Sequence, residues 1–556
     1  MGMAQEHRPM VKEQEKLDAN RETFRRLVSA AVSKFSAGRH EAAALAAQQA
    51  ASFAWFNHPG LFADTELESL LWNLGGTLQP GGRSAALASG PRVVLHVATQ
   101  VYPTGGHTQM LGRWIREDPD SEHRIATVRQ GSTSYPAKIT SLLAGNPVAL
   151  DRHAATLLGR AQVLREQAQA ADYVVVHAHP DDVVPALALA GIQTPSIYVN
   201  HADHVFWAGS SVPHLVVHLR SSGARLSHER RFLPDARSFM MNRPLAVAET
   251  GYGRERERGL LGIESGQVLL VTAASANKYE PIGSLSLIEL LERCVQQEPS
   301  LVVRAAGPAD TGDWLLAAQR TGGRLQALGM LPNVQPLFAA ADLYVDSFPF
   351  SSLTSLLEAG SHGIPVTSFR GHDPQCDVLG ADTPVVDECI GYPQSPEAFI
   401  EQILNLVRKP QHRQEQGLQI RHAIERSHAA SWQTELKTLY VHASLAFPQY
   451  PEPRPAAYGS GVLDEAVRAL QERTGYALGE VGTLRAILGV QPLAPRLASW
   501  VRLAQAGLEP RTAELCRDRW RIRIELTAAF LRRSAKRAAS GLRAVSKGST
   551  RNQQRT

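Results

Sequence analysis

The residues best placed by type and spacing to do chemistry lie in the string DLYVDSFPFSSLTSLLEAGSHGIPVTSF, from Asp342 to Phe369. A strand-like run there ends in a Ser/Thr-rich turn, and the turn opens a helix that contains Glu358. The first turn of a helix presents unbonded backbone N–H groups and a partial positive charge, which together suit a diphosphate. Ser352, Thr354 and Ser355 would add hydroxyl donors. Glu358, about one turn further in, would accept hydrogen bonds from two ribose hydroxyls. The same residues also describe a capped helix with a solvated glutamate, and the segment alone does not separate the two readings.

Other polar clusters stand at strand-like ends. An apolar run from Arg92 to Ala98 leads into TQVYPTGGHT, where Gly105, Gly106 and His107 precede a helical pattern. Glycine at such a turn lets backbone approach a ligand closely, although this is no G-x-G-x-x-G fingerprint. HAHPDD (177–182) follows the run DYVVVHA, and NHADHVFW (200–207) follows PSIYVN. A histidine there could deprotonate an acceptor hydroxyl while a neighbouring Asp orients it. The H-x-D-H atoms also suit a metal, but helical H-x3-H spacing and a Cys partner are both missing, so no metal site is expected.

The elements that must position these residues follow from periodicity. Residues 1–88 read as a helical N-terminal region, with FRRLVSAAVSKF and HEAAALAAQQAASFAWF separated by a short turn. This pair resembles one tetratricopeptide-type unit, too little for an array. LGGTLQPGGRSAALASGP then reads as a linker. Residues 91–250 alternate short apolar runs with helical segments, the signature of buried parallel strands: 92–98, 123–129, 172–178, 195–200 and 214–219. The pattern restarts over 260–446, with strands expected at 267–274, 300–307, 342–347 and 364–369. The expected fold class is therefore α/β, two Rossmann-like domains with N- and C-terminal helical extensions, the last covering 452–556. A ligand cleft should lie between the carboxyl ends of the two sheets.

The Asp342–Phe369 segment resembles the donor-binding signature of GT-B glycosyltransferases, and is most similar to the form in O-GlcNAc-transferase-like enzymes. That resemblance implies Thr354 and Ser355 on the diphosphate of a UDP- or GDP-linked sugar and Glu358 on its ribose. The turn ASANKYEP (274–281) is similar to one that supplies a lysine in the same enzymes, so Asn277 and Lys278 are expected at the diphosphate. A fixed ammonium there would stabilise the leaving group without a metal. The G-G-H-T loop resembles the first loop of many GT-B transferases, which places Gly105, Gly106 and His107 at the cleft. The string N-H-A-D-H-x-F-W resembles one in bacterial polysaccharide-type glycosyltransferases, which makes His201, Asp203 and His204 the acceptor-side candidates. One departure stands out: the commoner E-x7-E family has a Glu where this chain has Phe350.

The resemblance implies a hexosyltransferase-type glycosyltransferase, with a nucleotide sugar as substrate, no cofactor, and a glycan, lipid-linked glycan or protein as acceptor. A nucleotide-sugar epimerase and a non-catalytic nucleotide-sugar-binding scaffold are the alternatives. Composition agrees with a globular enzyme: 44% hydrophobic and 20% charged residues exclude global disorder. The four cysteines show no metal-type pairing and fit a reducing compartment. The polar N-terminus lacks an apolar signal core, so a cytoplasmic protein is expected. Val183–Ala202, the longest uncharged stretch, carries prolines and reads as helix, turn and strand. Positive charge is concentrated in the tail, where residues 511–556 hold 13 Lys/Arg against 3 Asp/Glu. Interspersed apolar residues there point to peripheral contact with anionic lipid at the inner face of a membrane. No nucleic-acid module accompanies the charge.

Overall fold

A computed structural model describes residues 7–508, apart from 81–89, 103–105, 132, 246–250, 282–283, 381, 383–385, 449, 452–457 and 460. Gly105 and the basic tail therefore lie outside the described residues. The chain divides into one compact unit reaching to Glu480 and a second beginning at Val481. In the second unit, Leu484, Ile487, Leu488, Val490 and Leu503 are buried.

The first unit contains two parallel sheets. One comprises β1 (Arg92–Ala98), β2 (Ser121–Thr127), β3 (Val148–Ala149), β4 (Tyr173–Val176), β5 (Ser196–Asn200), β6 (Leu215–His218) and β7 (Ser238–Met240). The other comprises β8 (Val268–Ala273), β9 (Leu301–Ala306), β10 (Leu325–Ala327), β11 (Leu343–Val345) and β12 (Val366–Thr367). The short strands β3, β7 and β10 carry too little apolar pattern to be found in the sequence. Every residue of β5, β6, β8 and β9 is buried, because helices cover both faces. The α/β class with two Rossmann-like sheets expected from the sequence is what the chain adopts.

Strand order is β3-β2-β1-β4-β5-β6-β7 in the first sheet and β10-β9-β8-β11-β12 in the second. In each, the order reverses beside the opening strand, between β1 and β4 and between β8 and β11. Such reversals open a crevice at the carboxyl ends of the strands. The loops after β1 and β4 thus serve one crevice, and those after β8 and β11 the other. These loops carry most of the candidate residues.

Helices tie the sheets together. After the second sheet, the chain runs through Pro410–Ile424 and a π-helical turn, Glu425–Ala430, into the helix Trp432–Leu445. That last helix returns to the first sheet, where Trp432, Leu436, Leu439 and Tyr440 share a buried cluster with Val94, Trp114, Val175, Ile197 and Val217. The N-terminal helices buttress the same domain. From the helix Thr65–Gly76, Glu68 accepts from the N–H groups of Gly209 (2.6 Å) and Ser211 (2.9 Å). Ser52 and Gln48 donate to the Asp181 carboxylate and carbonyl, both at 2.6 Å. Val183–Ala202 forms the helix Val183–Leu189 and then β5, and among the described residues no helix is long and apolar enough to cross a membrane.

Gly307, just past β9, has φ +113, and a Cβ there would strike the carbonyl oxygen of Ala274, at the start of the Lys278 turn. The conformation alone costs a larger residue about 1–3 kcal/mol. Gly307→Ala should therefore destabilise the protein by at least that amount in denaturant titration; an unchanged midpoint would contradict the close approach.

Candidate functional site

The second sheet builds its half of the site around a buried carboxylate. Asp346 directly follows β11, and its side chain accepts from the N–H groups of Ser347 (2.9 Å) and Ser352 (2.8 Å) and from Ser351 Oγ (2.6 Å). These bonds fold the Ser/Thr-rich turn back on itself and aim the helix Leu353–Ser361 at the cleft. Burial raises the Asp346 pKa, opposed by Ser351, Ser352 and Lys278. The sequence shows no motif at Asp346, which falls inside the strand expected at 342–347, whereas β11 ends at Val345.

Asn277 and Lys278 occupy a single 3-10 turn, Ala276–Tyr279, after β8. Lys278 Nζ donates to the carbonyl of Ser351 at 2.6 Å and lies 4.6 Å from the centroid of the Phe350 ring. Burial pulls its pKa down to about 8; Asp346 opposes this and Arg220 and Arg243 add to it. Phe350 also packs on His204, with centroids 4.4 Å apart. The residue standing where the commoner family has Glu is thus an aromatic ring lying against both the ammonium and the loop after β5.

At the helix itself, Thr354 Oγ1 accepts from Arg243 Nη1 at 2.7 Å, and Ser352 Oγ donates to Ser355 Oγ at 3.2 Å. Glu358 pairs with Arg113 Nη2 at 3.3 Å; burial raises its pKa, and Arg113 and Arg243 oppose that. Arg243 lies between the two sheets in sequence and belongs to no motif, so sequence reasoning passed over it. Its Nε is buried with no hydrogen-bond partner. Burial lowers its pKa to about 10, and Arg220 and Arg113 repel its charge further. The π-helical turn fixes it from behind, where His428 Nδ1 lies 3.0 Å from the Arg243 carbonyl.

The first sheet contributes histidines. Gly106 opens the helix Gly106–Glu117, with open space where its Cβ would point. His107, in the first turn, stacks on His201 with centroids 4.2 Å apart and meets His179 edge-on at 5.8 Å. Burial lowers the pKa of His107 and His179 to about 3 and that of His201 far below its ordinary value. Asp203 pairs chiefly with an arginine. Arg220 grips its carboxylate through Nε, at 2.8 Å, and Nη2. Burial alone would raise the Asp203 pKa, but Arg220 and His204 hold it well below the usual range. His204 Nδ1 stands 3.6 Å from that carboxylate, beyond hydrogen-bond reach, and is buried without a partner.

The arrangement places Lys278 and Arg243 beside one helix N-terminus, and Arg220 lowers the proton affinity of both while its own charge is held by Asp203. It is built to receive an anion. Among the described residues, no group of three or more His, Cys, Asp or Glu side chains is placed to hold a metal ion.

No protein-family model matches the sequence, and no curated protein sequence does. Among solved structures, a glycosyltransferase from Rickettsia africae aligns at 12% identity and TM-score 0.49, over 63% of this chain and 98% of that one. Anabaena HepE, solved with UDP and glucose, aligns at 15% identity and TM-score 0.47, over 62% of this chain and 98% of its own. A mutant of the Thermobaculum terrenum O-GlcNAc transferase aligns at 13% identity and TM-score 0.45, over 77% and 84%.

Asp346→Ala would strand several buried donors at once and should cost about 3 kcal/mol or more in thermal or chemical unfolding, with Asp346→Asn costing less. Equal stability of Asp346→Ala and the parent would refute the carboxylate's role in holding the turn.

Proposed function

We propose that the protein is a hexosyltransferase-type glycosyltransferase of GT-B architecture that moves a sugar from a UDP- or GDP-linked donor to a glycan, lipid-linked glycan or protein acceptor. Residues 260–446 would bind the donor and 91–250 the acceptor. The observation that carries this reading is the cation cluster at the N-terminus of the helix Leu353–Ser361. Lys278 and Arg243 converge there, and Arg243 Nε is buried and unpaired.

Breaking the bond between the sugar and the diphosphate leaves growing negative charge on the leaving group. Lys278, Arg243 and the helix N–H groups are fixed in place before that charge appears, so they stabilise it with little reorganisation. Asn277, Thr354 and Ser355 add polar contacts, and in this reading no metal is needed. Glu358 would exchange Arg113 for the ribose hydroxyls. His201, beside His107, would take the proton of the attacking hydroxyl. The basic tail, in this reading, holds the enzyme peripherally at the cytoplasmic face of an anionic membrane; loss of vesicle co-sedimentation on truncation at 510 checks it.

A thermal-shift screen of nucleotide sugars tests the donor site. A true donor at about 100 times its Kd stabilises by about 2.7 kcal/mol. Arg243→Ala and Lys278→Met should abolish that shift, and a screen in which no nucleotide sugar moves the protein would sink the proposal. The pH dependence has a definite sign. Because the Lys278 pKa is lowered to about 8, the ammonium is present at pH 7 and lost as pH rises through 8. Donor Kd should rise from pH 7 to 9, by up to about tenfold per unit past the pKa. Lys278→Arg should flatten this profile, because a guanidinium stays charged.

A further inference from the structure

A row of four histidines crosses the first sheet beneath the cleft. His201 Nε2 lies 3.2 Å from His177 Nδ1, His177 Nε2 3.3 Å from His96 Nδ1, and His96 Nε2 3.0 Å from His123 Nδ1. The row ends where His123 Nε2 meets the backbone carbonyl of Asp118 at 2.9 Å. Register explains the line. His96 on β1 is paired with Ile125 of β2 and Val175 of β4, so His123 and His177 are displaced by one pleat in opposite directions and share its face. The same diagonal step leads to His201, just past β5.

The last contact fixes all the others. A carbonyl only accepts, so His123 must carry its proton on Nε2, and its Nδ1 is then an acceptor. His96 must therefore donate from Nε2, and so in turn must His177 and His201. Every neutral imidazole in the row is held as the Nε2–H tautomer, and His201 is left with a bare Nδ1. His201 is partly exposed, and among the described residues no hydrogen bond is made to that nitrogen.

We propose that His201, His177, His96 and His123 form a proton relay that makes His201 Nδ1 a base and carries the charge it accepts to His123. As a catalytic device, the relay rests on the sugar-transfer reading above. The acceptor O–H gives its proton to His201 Nδ1 as the oxygen attacks. The Nε2 protons of His201, His177 and His96 then each move one step, onto His177, His96 and His123 Nδ1. The row gains one proton and one positive charge, and the charge now resides on His123. When product leaves, the reverse shift returns the proton to His201 Nδ1 and to solvent, with no ring turned over.

Electrostatics favours the far end. His201 faces His107, His177, His179 and Arg243, and a charge there adds to the cations of the cleft. His96 and His177 are wholly enclosed, with Trp114 standing nearly perpendicular to both rings. His123 faces Arg92 but also the Asp118 carboxylate, whose Oδ2 lies 3.7 Å from Nε2 and is held by Tyr440 OH at 2.8 Å. Burial lowers the pKa of all four, so they are neutral at pH 7 as the tautomer argument requires, and only at His123 does a carboxylate work against that lowering. His177, His96 and His123 are positioning residues that act through His201.

The test is long-range 1H–15N NMR of the full-length protein labelled at histidine, which reads tautomer and charge at each ring without substrate. The expected result is the Nε2–H tautomer at all four rings, with His123 the first of the four to become charged on acidification. An Nδ1–H tautomer at His177 or His96, or charge appearing at His201 before His123, overturns the relay. His96→Gln cannot bridge both neighbours. It should leave His201 in mixed tautomers, shift the acid limb of the kcat profile, and lower kcat by about tenfold or more with donor KM little changed. His123→Gln should do the same and serves if His96→Gln does not fold. An unaltered kcat profile and unaltered tautomer in either variant also overturns the relay. Uniform tautomers in a protein that binds no nucleotide sugar would instead refute the donor reading alone.

Discussion

The contact on which the site depends is the grip of Arg220 on Asp203. Both side chains are buried, and the guanidinium also donates to the carbonyls of Val378 and Gly380 from the second sheet's side of the cleft. Two buried charges of this kind are held at a desolvation cost of several kcal/mol each, which their mutual attraction and added hydrogen bonds must offset. Losing either partner would leave the other uncompensated. The pair therefore acts as a pin. It sets the loop after β5 against residues 378–380, and Phe350, His204 and Lys278 are brought together beside it.

That pin also shapes the charge of the cleft. Asp203 neutralises Arg220, and Asp346 is largely satisfied by the Ser-rich turn, so among the described residues neither carboxylate hydrogen-bonds Arg243, although Asp203 attracts its charge from a distance. Arg243 instead rests on a neutral hydroxyl, Thr354, with its Nε unpaired. Holding a cation in such a place is unfavourable in the empty protein and becomes favourable when an anion arrives. The depressed proton affinities of Lys278 and Arg243 are the signature of this arrangement, since both arise from burial first and from like charge among the other causes.

The parts of this design legible in the sequence were those encoded locally. Buried parallel strands read as runs of Val, Leu and Ile, so β1, β4, β5, β6, β8 and β9 were each anticipated at or near their bounds. The two-residue strands β3 and β12 are set by neighbours in the sheet rather than by their own pattern, and of these only β12, carried by the I-P-V-T-S-F string, was anticipated. Lys278, Thr354 and Glu358 stand out in the sequence because they belong to continuous strings, a turn after one strand and the first turns of a helix after another. Arg113, Arg220 and Arg243 were missed because each is one arginine among many, and only the approach of two sheets distant in sequence gives it a role. Asp203 stands in sequence between His201 and His204, yet its carboxylate is gripped by Arg220, which lies 17 residues on. His96 and His123 read as strand residues of mixed character, because the row they belong to exists only once register is known.

The helix Trp432–Leu445 joins these features mechanically. Near its start, Trp432 Nε1 donates to the Asn242 carbonyl at 2.8 Å and Glu435 accepts from the Asn242 side chain at 2.9 Å. Both contacts hold the residue immediately before Arg243. Two turns on, about 12 Å along the axis at 1.5 Å per residue, Tyr440 donates to Asp118 and accepts from Trp114 Nε1 at 3.0 Å. One rigid element thus fixes the cation expected at the leaving group and the carboxylate at the far end of the histidine row. A shift of this helix along its axis would disturb both together. A helix that follows the second sheet in sequence is thus packed on the face of the first, and this strut acts together with the direct contacts of Arg220 and Arg113 across the cleft to keep the two halves in register.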